Sequence, residues 1–91
     1  MEHPLPELSK KLKKGTQAMR TQNFEIALEY FSELTREAPE FAEAWNKRAT
    51  VLFMMGRSKE SLFDVARTLE LEPRHFGARS GKGMILMQYQ D

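Results

Sequence analysis

The sequence predicts an all-α chain in which antiparallel helix-turn-helix units stack as a short solenoid of about five helices. Three observations carry that expectation. A 34-residue pattern repeats: shifting Ala42 to His75 back by that length lays Pro73 on Pro39, Leu62 on Leu28, Ser61 on Ala27, Val65 on Phe31 and Ala49 on Gly15. A forward shift lays Ala49 on Gly83 and Leu52 on Leu86. Within the units, apolar residues recur three and four apart, as on one helical face. The units are also punctuated. Gly56 stands where a left-handed residue caps a helix, and Pro39 and Pro73 stop the runs before them.

Residues 1–6 read as an N-terminal leader, with Pro4 and Pro6 blocking an earlier helix. Pro6 suits a first helical turn, whose amides have no intrahelical acceptor. The first helix is expected from Glu7 to Thr21, with Leu5, Leu8, Leu12 and Met19 sparse among Lys10, Lys11, Lys13, Lys14 and Arg20. Gly15 costs this helix roughly 1 kcal/mol of propensity. That cost has a purpose if a partner helix passes close by.

The second helix should run from Phe24 to Ala38, with Asn23 as its N-cap. Phe24, Ala27, Leu28, Phe31 and Leu34 form its buried stripe. Glu25, Glu29, Glu33 and Glu37 form an acidic stripe whose mutual repulsion makes the helix depend on packing rather than local pairing. The third helix is expected over Phe41 to Met55, with Trp45, Ala49 and Leu52 on one face. The fourth should span Ser58 to Leu71, capped by Ser58 and burying Ser61, Leu62, Val65, Thr68 and Leu69. The fifth begins near His75 and runs toward Gln88; Gly77, Gly81 and Gly83 make it the weakest. Its Met84, Ile85, Leu86, Met87 and Tyr89 would normally be covered by a partner helix and none follows in this sequence, so either the array continues in a longer chain or this face meets another molecule. Ile85, Leu86 and Tyr89 are the residues assigned to self-association.

Composition narrows the function classes. With 14 basic and 13 acidic residues in 91, no bulk polyelectrolyte partner is implied. The absence of cysteine excludes a disulfide framework and thiol catalysis. No apolar run approaches the roughly 18 residues of a membrane span, and the start MEHPLPEL lacks the order of a secretory signal. A cytoplasmic or organellar protein without a membrane partner is the expectation. His3 and His75 are not spaced with carboxylates as a metal site requires. His75, at a bend between helices, reads as a capping or packing residue. The stretch Gly77 to Gly83 fails as a phosphate loop, since three residues separate its glycines, Gly83 replaces the metal-binding hydroxyl and no strand precedes it. No catalytic set, metal site or cofactor site is expected, so the chain reads as a non-enzyme. The basic KKLKK face lacks interleaved aromatics, which argues against nucleic acid.

The repeat positions resemble the tetratricopeptide family. The second unit supplies Trp45, Ala49, Leu52, Ser61, Val65, Thr68 and Pro73, and the first supplies Lys11, Gly15, Ala18, Ala27, Phe31, Leu34 and Pro39. Lys11 and Arg79 depart from the aromatic position, so only the middle unit is near consensus. The segments FAEAWNKRAT and LEPRHFGA are further similar to small bacterial and organellar repeat proteins. The resemblance covers residues 8–91. It implies a right-handed superhelix with one repeat over 8–41, a second over 42–75, and over 76–91 the first helix of a third or a capping helix.

The same resemblance implies that the first helix of each unit lines a concave groove that binds a peptide or protein segment. Its groove positions fall on Leu12, Thr16 and Met19, on Asn46, Thr50 and Phe53, and on Ser80, Met84 and Met87, with Lys13, Arg20 and Lys47 beside them. Flexible methionines there suit varied partners. Residues 9–20 carry five Lys/Arg and no acid, so an acidic segment would be steered inward. Alternatively, opposite charges on neighbouring helices balance each other. The carboxylate clamp of co-chaperone members is not expected, because its positions hold Leu12, Thr16, Lys47, Gly77 and Gly81. The rival reading is a scaffold unit that self-associates through the fifth helix.

Overall fold

The computed structural model describes residues 5–88. They form five helices: α1 Leu5–Arg20, α2 Phe24–Glu37, α3 Ala42–Met54, α4 Ser58–Leu71 and α5 Phe76–Gln88. Each boundary lies within two residues of the sequence expectation. The leader expected over 1–6 lies partly outside the described residues, and α1 already includes Leu5 and Pro6. Helices consecutive in the chain pack against each other, α3 also touches both α1 and α5, and α2 and α4 do not meet. The array is therefore two layers, and its shortest dimension of 18 Å is that of two helices side by side.

Unit one closes through a size match. A Cβ on Gly15 would lie 2.5 Å from Phe31 Cε1, so the glycine is what admits the fully buried ring. The equivalent pair in unit two is Ala49 with Val65, a larger residue against a smaller one, both buried. Two cores result. Leu8, Ala18, Ala27, Phe31, Leu34, Ala44 and Val51 form the first; Ala49, Val65, Ala78 and Ile85 form the second.

The helix ends also repeat. At the end of α3, Gly56 takes φ +80°, its amide donates to the Phe53 carbonyl and the Arg57 amide donates to Leu52. At the end of α1 the same pair of bonds forms from Gln22 to Met19 and from Asn23 to Ala18, with Gln22 at φ +66°. Both are left-handed terminations of one hydrogen-bond pattern, but only the end of α3 uses glycine.

Two expected caps are not made. Asn23 occupies the N-cap position of α2, yet its side chain donates to Thr21 Oγ1 instead of accepting from the helix. Ser58 is the first residue of α4 rather than its cap, and its hydroxyl donates to Gln88 Oε1 at 2.6 Å. In each case a residue outside the helix satisfies the polar group first. His75 does cap: its Nδ1 accepts from the Ala78 amide at 3.1 Å, which leaves Nε2–H to donate to Glu43 Oε1 at 3.0 Å. That arrangement requires the neutral ring.

Candidate functional site

Because α3 touches α1 and α5 while α2 and α4 stand apart, the odd-numbered helices form the tighter, inner layer of the curve. Two hollows lie along it. The first, about 770 Å³, includes Leu12, Lys13, Thr16 and Arg20 of α1, Lys47 of α3 and, at its edge, Tyr30 of α2. The second, about 290 Å³, lies between α3 and α5 and includes Asn46, Thr50, Phe53, Ser80 and Met84 over the buried Ala49 and Ile85. Residues the sequence places in one groove thus come together in space, except two. Met19 is partly buried against the first core, and Met87, 71% exposed, lines neither hollow. Leu12 and Phe53 have a double position, since each also packs against a core cluster.

The two hollows differ in chemistry. Lys13 and Arg20 project from α1 into solvent and, with Lys47, make the first hollow positive. The second holds no charged side chain. In both, a threonine one repeat apart turns its hydroxyl proton back onto its own helix: Thr16 donates to the Leu12 carbonyl at 2.7 Å and Thr50 to Asn46 at 3.1 Å.

Charge on the opposite layer is partly spent within the fold. Lys11 reaches across to Glu37 at 2.6 Å and Glu33 at 3.2 Å, so one positive charge is shared by two of the four glutamates of the acidic stripe of α2. The Glu37 hydrogen bond, opposed in part by desolvation and supported by Glu33, holds the Lys11 ammonium above its ordinary value. The stripe is bridged by an ion pair from the neighbouring helix rather than by pairing within α2. One repeat on, Lys11 becomes Trp45 and Glu33 becomes Arg67. There the contact is cation–π, with the Arg67 and Arg48 guanidinium carbons 5.7 and 5.0 Å from the indole centroid.

The sequence reading missed one structural site. Asp64, 1% exposed on α4, receives two bonds from Arg48 of α3: Nε to Oδ2 at 2.7 Å and Nη2 to Oδ1 at 3.0 Å. Nη1 of the same guanidinium reaches Ser32 and Thr35 of α2, both at 3.3 Å. Burial raises the Asp64 carboxyl above its usual range against the opposing pull of Arg48. The partners lie on three helices, so no spacing within one helix could reveal them.

One self-association residue is corrected. Ile85 is 2% exposed and belongs to the second core. It occupies the position of Val51, which faces the preceding unit, so α5 turns Ala78 and Ile85 back toward the array. Leu86 is 41% exposed and remains on the outer face; Tyr89 lies outside the described residues. No helix among the described residues is long and apolar enough to cross a membrane.

No family model matches the chain. A TPR repeat-containing protein of Rhizobium etli is 47% identical over 60 residues, covering 66% of this chain and 29% of that protein. DnaJ homolog subfamily C member 3 of Rattus norvegicus is 30% identical over 82 residues, covering 90% of this chain and 16% of that protein. The chain therefore spans less than a third of either curated relative. The Sgt2 TPR domain from Aspergillus fumigatus superposes with a TM-score of 0.86 over 90% of this chain and 54% of that one; at 21% identity the likeness is one of fold. The 34-residue period, the five-helix stacking and these likenesses agree: the chain belongs to the tetratricopeptide-repeat family.

Proposed function

We propose that this chain is a non-catalytic protein-interaction module whose inner groove binds an extended peptide or protein segment. The observation that carries the reading is the pair of hollows on the inner layer, one basic and one apolar. They favour a bipartite ligand. Its acidic part lies beside Lys13, Arg20 and Lys47, and its apolar part beside Thr50, Phe53, Ser80 and Met84. Neither hollow needs a cofactor or metal for this role.

Selection of random displayed peptides on the immobilised chain, followed by titration of the winners, tests the proposal. Enrichment of acidic residues next to a bulky apolar one is expected. Lys13 and Arg20 are exposed, so the double variant Lys13→Glu/Arg20→Glu should keep the fold and weaken the selected peptides at least tenfold. Peptides that bind this variant as tightly as the parent would overturn the groove reading. The repeat units 8–41, 42–75 and 76–91 serve in this proposal as the frame that sets the groove positions.

Self-association as a scaffold unit is the second reading. Leu86 favours it, as an apolar side chain exposed on the outer face of α5. Sedimentation of the parent beside Leu86→Glu separates the two, since only self-association predicts a change in mass.

A further inference from the structure

The inner wall changes character at a fixed step. The 34-residue shift lays Lys13 on Lys47 and then on Gly81, Thr16 on Thr50 and then on Met84, and Arg20 on Met54. The positive charge of the first hollow therefore stops at α3, and an apolar surface begins there. Met54 and Met84, 53% and 55% exposed, both line the second hollow. Each hollow is walled on both flanks by helices of the array, the first by α1 and α3, the second by α3 and α5. Lys47 lines the first and its neighbour Asn46 the second, so α3 is the ridge between them.

That ridge sets a distance. Helices α1, α3 and α5 touch in succession, and the axes of touching helices lie roughly 8–10 Å apart. A point midway between α1 and α3 is therefore about one such step from a point midway between α3 and α5. A β-strand does not match the step, because its same-face residues recur about 6.6 Å and then about 13 Å along the chain. An α-helix matches it only with residues seven apart, about 10.5 Å. Its third and fourth residues share that face and would run onto Asn46, Lys47 and Thr50. A polyproline II chain has three residues per turn and rises about 3.1 Å per residue, so residues three apart share a face about 9 Å apart. Its two intervening side chains point away from the ridge.

We propose, resting on the groove reading above, that the ligand is a segment in the polyproline II conformation with an acidic residue and a bulky apolar residue three positions apart. The carboxylate lies between Lys13 and Lys47. The apolar side chain enters the second hollow over Phe53, between Met54 and Met84. A segment of this kind is already extended when free, so little conformational entropy is lost when it binds.

The probes are labelled proline-host peptides holding one Glu and one Leu two, three or four positions apart, each made in both orders, and an alanine-host helical peptide with the pair seven apart. They are titrated onto the whole chain by fluorescence anisotropy. The three-apart peptide is expected to saturate in one order and to bind at least tenfold tighter than every other probe. Met84→Glu in the protein should weaken it at least tenfold, and Lys13→Glu/Lys47→Glu as far. A three-apart peptide with Lys in place of its Glu should recover binding to the Lys13→Glu/Lys47→Glu protein, a rescue that an unfolded variant could not show. Three results would overturn this register: no saturation by the three-apart peptide, equal binding at all spacings, or tighter binding of the helical peptide. The groove reading survives any of them if the selected acidic peptides still lose affinity on Lys13→Glu/Arg20→Glu. If they do not, both fall.

Discussion

At the residue scale, the two units solve the same problems with different side chains, and the weaker solution can be improved. Gln22 adopts the left-handed backbone that Gly56 adopts one repeat later. A side chain there costs roughly 1–2 kcal/mol, and glycine costs about 0.5–1 kcal/mol through unfolded-state entropy. Gln22→Gly should therefore stabilise the chain by about 0.5–1 kcal/mol in urea denaturation. A loss of stability would mean that the Gln22 side chain holds something the backbone pattern does not reveal.

The Gly15–Phe31 contact gives a second residue-scale prediction. Gly15→Ala gains about 1 kcal/mol of helix propensity but forces overpacking worth about 1–3 kcal/mol, so a net loss near 1 kcal/mol is expected. The Gly15→Ala/Phe31→Val double variant recreates the Ala49–Val65 pair of unit two. Its destabilisation should be smaller than the sum of the two single losses by about 1 kcal/mol or more. Additive losses would show that the two side chains do not meet. The close approach itself was legible in the sequence, because a glycine inside a helix is costly and recurs at a small-residue position. The missing caps were not. Asn23 has the right residue type at the N-cap position and Ser58 falls one residue inside its helix, and each finds another polar group nearby.

At the scale of elements, the array is held by contacts between helices more than by each helix alone. The Arg48–Asp64 pair ties α3 to α4, and through Ser32 and Thr35 to α2. Arg48→Met would strand a buried carboxylate. Because the guanidinium is 22% exposed, a loss of about 2–4 kcal/mol is expected, near the lower end for a broken buried pair. The pH dependence has a definite sign. Burial already raises the Asp64 carboxyl in the folded chain, so the folded state holds that proton more tightly than the unfolded state. Protonation of Asp64 therefore favours folding as pH falls, and stability from this group declines as pH rises through its folded value. Without Arg48 the carboxyl rises further. The stability deficit of Arg48→Met, read as urea midpoints, should then shrink from pH 7 to about pH 5. A deficit that grows on acidification would contradict this account. The same three-helix dependence explains why the pair escaped sequence reading, whereas the elements themselves, set by period and punctuation, did not. Ile85 shows the opposite limit. Its apolar neighbours at the end of α5 made the whole run look uncovered, and only its match to Val51 reveals that it faces backward.

At the scale of the molecule, curvature turns a repeat into a surface. The resemblance to the family implied that Leu12, Thr16, Asn46, Thr50, Ser80 and Met84 lie on the inner layer, and they line two adjoining hollows. Met19 and Met87 fall away, the first packed against the first core and the second exposed outside both hollows. The division into a basic and an apolar half was only half legible: the lysines of α1 are visible in the sequence, but Lys11 spends its charge on the acidic stripe of α2.

Amide chemical-shift mapping by NMR tests the central claim most directly, with one of the selected acidic peptides titrated onto the labelled chain. The account predicts shifts concentrated on the inner layer, at Lys13, Thr16, Arg20, Lys47, Thr50, Ser80 and Met84. Shifts confined to the outer layer, at Glu25, Glu29 and Phe63, would contradict it.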